Sequence, residues 1–457
     1  MSVIAAPAPL APASGRAPVA RLTWMLGRPS AQSAAALALP AVAFAVTTAL
    51  MLVVLGGVLM FWRWDVTAQP DAPVYQLLSV IALAVLVIPL LSLGGAAARL
   101  SARRRDDRLA TLRLLGASTP TVGAITVLES TAVAVAGALA GVVLYALLMP
   151  LVGLVSFGGA PIGGASLWTG IPAIAAVVVG VALLAAISAA IGLRQVVLSP
   201  LGVRARTDAP KLHWLRVLIA VVVIAAGFVA LNVPALAPGA AFAFVIAAVF
   251  GAGMAVLNLL GPWAIGVFAK IQARRATTAA RLVAARTVLE SPKAAWRQVG
   301  GVAMTSFVAV IAGAGTAMVA DAQDAVVLMR DVQTGVLLTL VVSFAMVACS
   351  VGVNQAAAIL DRRALHVALD RIGMPIEVME SARTRATMAP LLFTVVVSVL
   401  AAGVLVFPLV GIAMIVAPLS LGVIAACFAV GIVLVWAALR ATHPVLLRVL
   451  AEPDRAE

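Results

Sequence analysis

Few side chains in this sequence are placed to do covalent or acid–base chemistry. The three histidines, His213, His366 and His443, lie in separate polar segments without ligand spacing, and Cys349 and Cys427 fall inside apolar runs. Neither pattern matches a metal site or an extracellular disulfide framework. No Gly-Lys pair occurs, which excludes the phosphate loop G-x-x-x-x-G-K-[ST]. Glu129 is the only carboxylate near the body of an apolar run; the run centres hold at most Asn258, Asn354 and Thr47-Thr48. An ion-coupled carrier usually keeps ionisable groups there. What the residue types do support is docking. Arg103, Arg104, Arg105, Arg108 and Arg113 share a segment with Leu109, Leu112 and Leu115, and Gly116 closes it. That pattern reads as a short amphipathic helix with Gly116 at its C′ position. A second basic segment, 361–373, carries Arg362, Arg363, Arg371, Leu369 and Ile372 and closes at Gly373.

The elements that position these segments follow from composition. Of 457 residues, 64% are apolar and 11% charged, with mean hydropathy +1.16. Soluble domains average about 45–50% apolar and ~25% charged, so the chain belongs in a membrane. Seven uncharged gaps exceed 20 residues: 29–62, 72–98, 130–193, 217–269, 298–320, 332–360 and 386–439. A spanning helix needs about 20 apolar residues. Four gaps hold one helix each and the three longest hold two, split near Gly158-Gly159-Ala160-Pro161, Asn232-Val233-Pro234 and Pro408 to Pro418. The expectation is ten spans. Continuous apolar runs, rather than alternating segments, exclude a β-barrel.

Charge then orients the chain. With the N-terminus inside, 29 of the 31 basic residues fall on the inner side and only Arg63 and Arg330 lie outside, as the positive-inside rule requires. The net charge of +14 is mostly this effect and calls for no nucleic-acid partner. Both termini are expected in the cytoplasm, and the first 33 residues read as a tail with an interfacial stretch rather than a cleaved leader. The outer connections are too short for an ectodomain, since domains need about 50 residues; the longer polar segments all face inward.

The chain also repeats itself. Ala20-Arg21-Leu22 and Pro29 precede the first span as Ala280-Arg281-Leu282 and Pro292 precede the seventh. Each start leads to two spans, a basic inner segment (103–116 or 361–373) and two more spans. The expected organisation is a tail (1–33), a four-helix unit (34–206), two linking helices (207–270), a second, parallel four-helix unit (271–450) and a tail (451–457). Gly137-x-x-x-Gly141 is expected to seat a neighbouring helix, and Glu129 to lie at the inner boundary.

The run from Arg108 to Ser118, Arg-Leu-Ala-Thr-Leu-Arg-Leu-Leu-Gly-Ala-Ser, followed by Val127-Leu128-Glu129-Ser130, resembles FtsX-like permeases, membrane subunits of the MacB-type ABC transporter superfamily. The resemblance covers 20–206 and, more loosely, 280–450. It implies an all-α membrane fold and coupling helices that fit a groove in a separate ABC ATPase, present in two copies. The coupling residues it implies are Arg103, Arg104, Arg105, Arg108, Leu112, Arg113, Leu115 and Gly116, with Arg362, Arg363, Leu369, Ile372 and Gly373 in the second unit. ATP and Mg would be bound by the partner, no cofactor by this chain, and ATP would be hydrolysed on the partner alone. The implied function is export or extraction of an amphipathic, lipid-like or peptide substrate. The residues leave two rivals open, an ion-coupled carrier and a non-transporting scaffold that transmits force to an envelope or signalling partner.

Overall fold

A computed structural model describes residues 31–65, 67, 71–103, 119–197, 240–317, 326–416 and 418–451, with scattered positions between 218 and 229. The helices are α1 (Ala31–Trp62), α2 (Ala72–Arg103), α3 (Thr119–Val152), α4 (Ile171–Val197), α5 (Ala240–Arg274), α6 (Ala279–Glu290), α7 (Pro292–Ala317), α8 (Val326–Asp361), α9 (Arg363–Arg371), α10 (Ile376–Leu405), α11 (Phe407–Val416), α12 (Pro418–Arg440) and α13 (His443–Ala451). Two short strands, β1 (Ser156–Phe157) and β2 (Ala160–Pro161), form a hairpin between α3 and α4. Apolar runs become helices because lipid offers the backbone no hydrogen-bond partner and a helix satisfies its own amides.

Among the described residues, eight helical stretches are long and apolar enough to cross a membrane: 38–62, 123–152, 171–191, 251–274, 292–314, 327–360, 376–405 and 418–451. The protein is an all-α, multi-pass membrane protein. The sequence expectation of ten spans includes two that this count does not. Helix α2 contributes a shorter described apolar stretch, Ala72–Val87, and most of the expected fifth span, 217–233, lies outside the described residues.

The helices gather in two groups. In the first, α1 packs against α2 and α3, and α4 closes against α2 and α3. In the second, α7 packs against α8 and α10, and α12 closes mainly against α8. Between them α2 meets α8, flanked by the reciprocal contacts α7–α2 and α1–α8. Helices α5 and α6 pack on α7 and α10. One apolar core fills each group, and α8 contributes to both through Phe344 and Val351 on one side and Val342, Met346 and Val353 on the other.

Two details fix the packing. Added Cβ atoms on Gly137 and Gly141 would lie 2.6 Å from the Ala41 carbonyl oxygen and 2.5 Å from that of Ala45. The backbones of α3 and α1 therefore approach as small-residue pairs allow, and Gly137-x-x-x-Gly141 is a packing motif. On α1, Thr47 Oγ1 donates to the Ala43 carbonyl at 2.7 Å; on α7, Thr305 Oγ1 donates to that of Gly301 at 3.2 Å. The next residues, Thr48 and Ser306, are both fully buried hydroxyls with no hydrogen-bond partner among the described residues.

The connections differ from the simple short loops the sequence suggested. Gly158 and Gly159, at φ 65° and 82°, supply the left-handed turn that a two-residue hairpin needs. The Pro408 region forms α11, a ten-residue helix. The helix ends bearing the hairpin define one face of the molecule, and the opposite, basic face carries α6, α9 and α13.

Candidate functional site

Helix α9 is built by its ends. Its last turn closes with the Met374 amide donating to the Leu369 carbonyl at 3.0 Å and the Gly373 amide to that of Asp370 at 2.9 Å. These are the paired bonds of a Schellman motif, and Gly373 takes the left-handed conformation (φ 84°) the motif requires. Pro375 then begins α10. Arg371, exposed in the last turn, complements the negative end of the helix dipole.

On this helix Leu365, Leu369 and Ile372 fall at i, i+4 and i+7, one face. Leu365 is 50% exposed and Ile372 78%, while Leu369 is half-buried. Val367, on the other side, is buried where α9 rests on α8 and α13. The apolar ridge expected from Leu369 and Ile372 is therefore present and points away from the molecule, lengthened by Leu365. The spacing of Leu365 was the signal that sequence reading missed. Arg362 is exposed and lies 3.8 Å from Glu290 of α6, also exposed; Arg363 is half-buried.

Beneath α9 a polar cluster joins the helices of the basic face. Glu380 of α10, largely buried, lies 3.3 Å from Arg440 Nη1 and 3.0 Å from His443 Nδ1. Arg383 Nη2 donates to Thr442 Oγ1 at 2.7 Å, and the Arg440 guanidinium sits 5.2 Å from the centre of the Trp436 ring. A small core of Ile359, Leu446 and Val449 packs alongside. His366 of α9 is half-buried; burial first, then the nearby Arg383 and Arg362 charges, hold its imidazole below the ordinary value. The sequence alone gives Glu380, Arg383, Thr442 and His443 no shared role. Their separation along the chain hid the cluster.

The first expected docking segment is a different case. Arg104, Arg105, Arg108, Leu112, Arg113, Leu115 and Gly116 lie outside the described residues, and Arg103 is the last residue of α2, with its side chain also outside them. Glu129 is half-buried in α3. Among the described residues no three His, Cys, Asp or Glu side chains gather as a metal would need.

The hairpin face holds a second cluster. Asp331, at the start of α8, is 3% exposed. Its Oδ2 accepts from the Tyr75 hydroxyl of α2 at 2.7 Å and from the Gly158 amide at 2.5 Å. Its partner Tyr75 stacks on Phe61 and meets Trp64 edge-on, and Phe61 meets Trp64 and Phe157 edge-on, with ring centres of these pairs 5.0–5.5 Å apart. No family model matches this chain, and no curated protein matches it.

Proposed function

We propose that this protein is the permease subunit of an ABC transporter of the FtsX-like kind, driven by a separate ATPase that docks on the basic face. The observation that carries the reading is the ridge of Leu365, Leu369 and Ile372, which α9 presents outward between exposed arginines. An apolar ridge flanked by charge is what a helix needs to fill and register in a partner's groove. An anchor for lipid headgroups has the same composition, so the distinguishing property is a protein partner.

The duplicated reading of the chain is supported by the matched packing of α1–α4 and of α7, α8, α10 and α12. Each group also buries a pair of adjacent hydroxyls, Thr47-Thr48 and Thr305-Ser306, whose threonine Thr47 or Thr305 bonds a carbonyl four residues back. Ten spans, in two parallel units with two linking helices between them, give each unit one docking segment. Two ATPase copies then follow, each supplying its own ATP and Mg. The basic face lies in the cytoplasm with both termini, in a cell membrane, because nearly all the basic residues lie on that side. The substrate is amphipathic, lipid-like or a peptide, moved outward or extracted from the bilayer; the near absence of charge along the spans disfavours an ion.

Purification of the tagged protein from its native membranes tests this. The expected result is co-purification of an ATP-hydrolysing subunit, with turnover lost when that subunit is stripped away. A homogeneous preparation that moves substrate with a proton gradient and no ATP would overturn it.

A further inference from the structure

We propose that the β1–β2 hairpin is a clasp between the two helix groups, with the Asp331 carboxylate as its catch. The clasp must release for the groups to part on the hairpin face. The reading depends on the observed helix groups and is independent of any ATPase partner.

The hairpin belongs to the first group. Its root is tied there by Tyr145, whose hydroxyl donates to the Leu167 carbonyl at 2.6 Å and accepts from the Thr169 amide at 3.2 Å. Arg63 Nη2 adds a bond to the Trp168 carbonyl at 3.1 Å. The catch belongs to the second group, because Asp331 lies near the start of α8, five residues after Val326. Both donors that reach its Oδ2, the Tyr75 hydroxyl and the Gly158 amide, come from the first. Gly158 can present its amide because the turn holds it in the left-handed region, where other residues are strained.

The chemistry of the catch makes it discrete. An ionised carboxylate only accepts hydrogen bonds, and bonds to it are short and strong. A carboxylate this buried is costly unless it is satisfied, so partial withdrawal of the hairpin is unfavourable: the bonds are made, or the carboxylate is exposed to water. Apolar helix packing such as α2 on α8 has no such threshold, since its attraction is spread over many small van der Waals contacts that are lost gradually. In the closed catch Asp331 is 3% exposed, and its partner Tyr75 also packs against Phe61 and Trp64.

Distance measurement between spin labels tests the clasp. In full-length protein with Cys349 and Cys427 replaced by alanine, labels are placed at Ala160→Cys and Arg330→Cys, and the protein is held in lipid nanodiscs. The parent is expected to give one short, narrow distance. Asp331→Ala should move most of the population to longer, broader distances. Tyr75→Phe, which removes one bond and leaves the carboxylate, should raise the long-distance fraction about tenfold or more. A second label pair, Ala160→Cys with Trp168→Cys, should remain unchanged, showing that the root stays fixed while the tip leaves. If Asp331→Ala does not fold, Tyr75→Phe decides alone. A distribution identical to the parent's in the folded variants overturns the clasp; so does a change in the root pair equal to that at the tip.

Discussion

The two helix groups differ most where their third and fourth helices join. In the first group that join is a Gly-Gly hairpin whose amide reaches across to Asp331. In the second it is α11, with Phe407 and Ile415 strongly exposed. A polar, glycine-rich connection can take part in a hydrogen-bonded contact with the other group, whereas an apolar helix with such side chains is suited to the membrane interface. Contact between the groups is therefore made by helices, where α2 meets α8, and also by a connection, where Gly158 reaches Asp331.

Helix packing offers the sharpest way to break this comparison. Gly141→Leu would drive a side chain into the Ala45 carbonyl, which is backbone and cannot move aside. It should cost more than ~3 kcal/mol and abolish folded yield by size-exclusion. Gly403→Leu on α10 of the second group, where an added Cβ meets nothing within 4 Å, should leave the yield near the parent's. Equal loss from both would mean that the yield does not depend on how closely the helices approach at each glycine.

Docking comes next. Leu369→Asp with Ile372→Asp should weaken ATPase binding by about 10–100-fold, since a charge left unpaired in a groove is costly. If the first unit dominates docking, as its five arginines and three leucines lead us to expect, Leu112→Asp with Leu115→Asp will cost more. Binding titrations with each pair measure the asymmetry directly.

Smaller effects concern the cluster beneath α9. Glu380→Gln loses its charge toward Arg440 and His443 and should lower stability by about 1–2 kcal/mol, read as a fall in Tm. His366 adds a pH dependence. Its depressed folded value means the unfolded chain binds the proton more readily, so its contribution is complete above the ordinary 6.5. That contribution drains away as pH falls from there through the folded-state value. The fall in Tm on acidification should be shallower in His366→Gln. Arg362→Ala, at a long and exposed ion pair, should change stability by less than about 0.5 kcal/mol.

Much of this architecture was legible in the sequence because lipid leaves the backbone so few choices. Uncharged gaps overlap the eight membrane-length helices among the described residues, Gly158-Gly159 marked the break between α3 and α4 but not its hairpin, and Gly373 marked the end of α9. Gly137 and Gly141 announced a close helix contact, although not its partner. What the sequence concealed were contacts between distant residues: Asp331 with Tyr75, and Glu380 with Arg440 and His443. Linear spacing carries no trace of such pairs. Asp331 read as the edge of a loop, and only the fold shows it buried. The Pro408 region reads as a bare connection because prolines punctuate it, yet proline is tolerated in the first turn of a helix, and α11 begins at Phe407.

Photocrosslinking from the docking ridge tests the central claim most directly. A photoreactive residue at Leu365 or Ile372, activated in native membranes, should yield an adduct with one ATP-hydrolysing protein that disappears when Leu369 is changed to Asp. Adducts with lipid alone, unaffected by that change, would contradict the account.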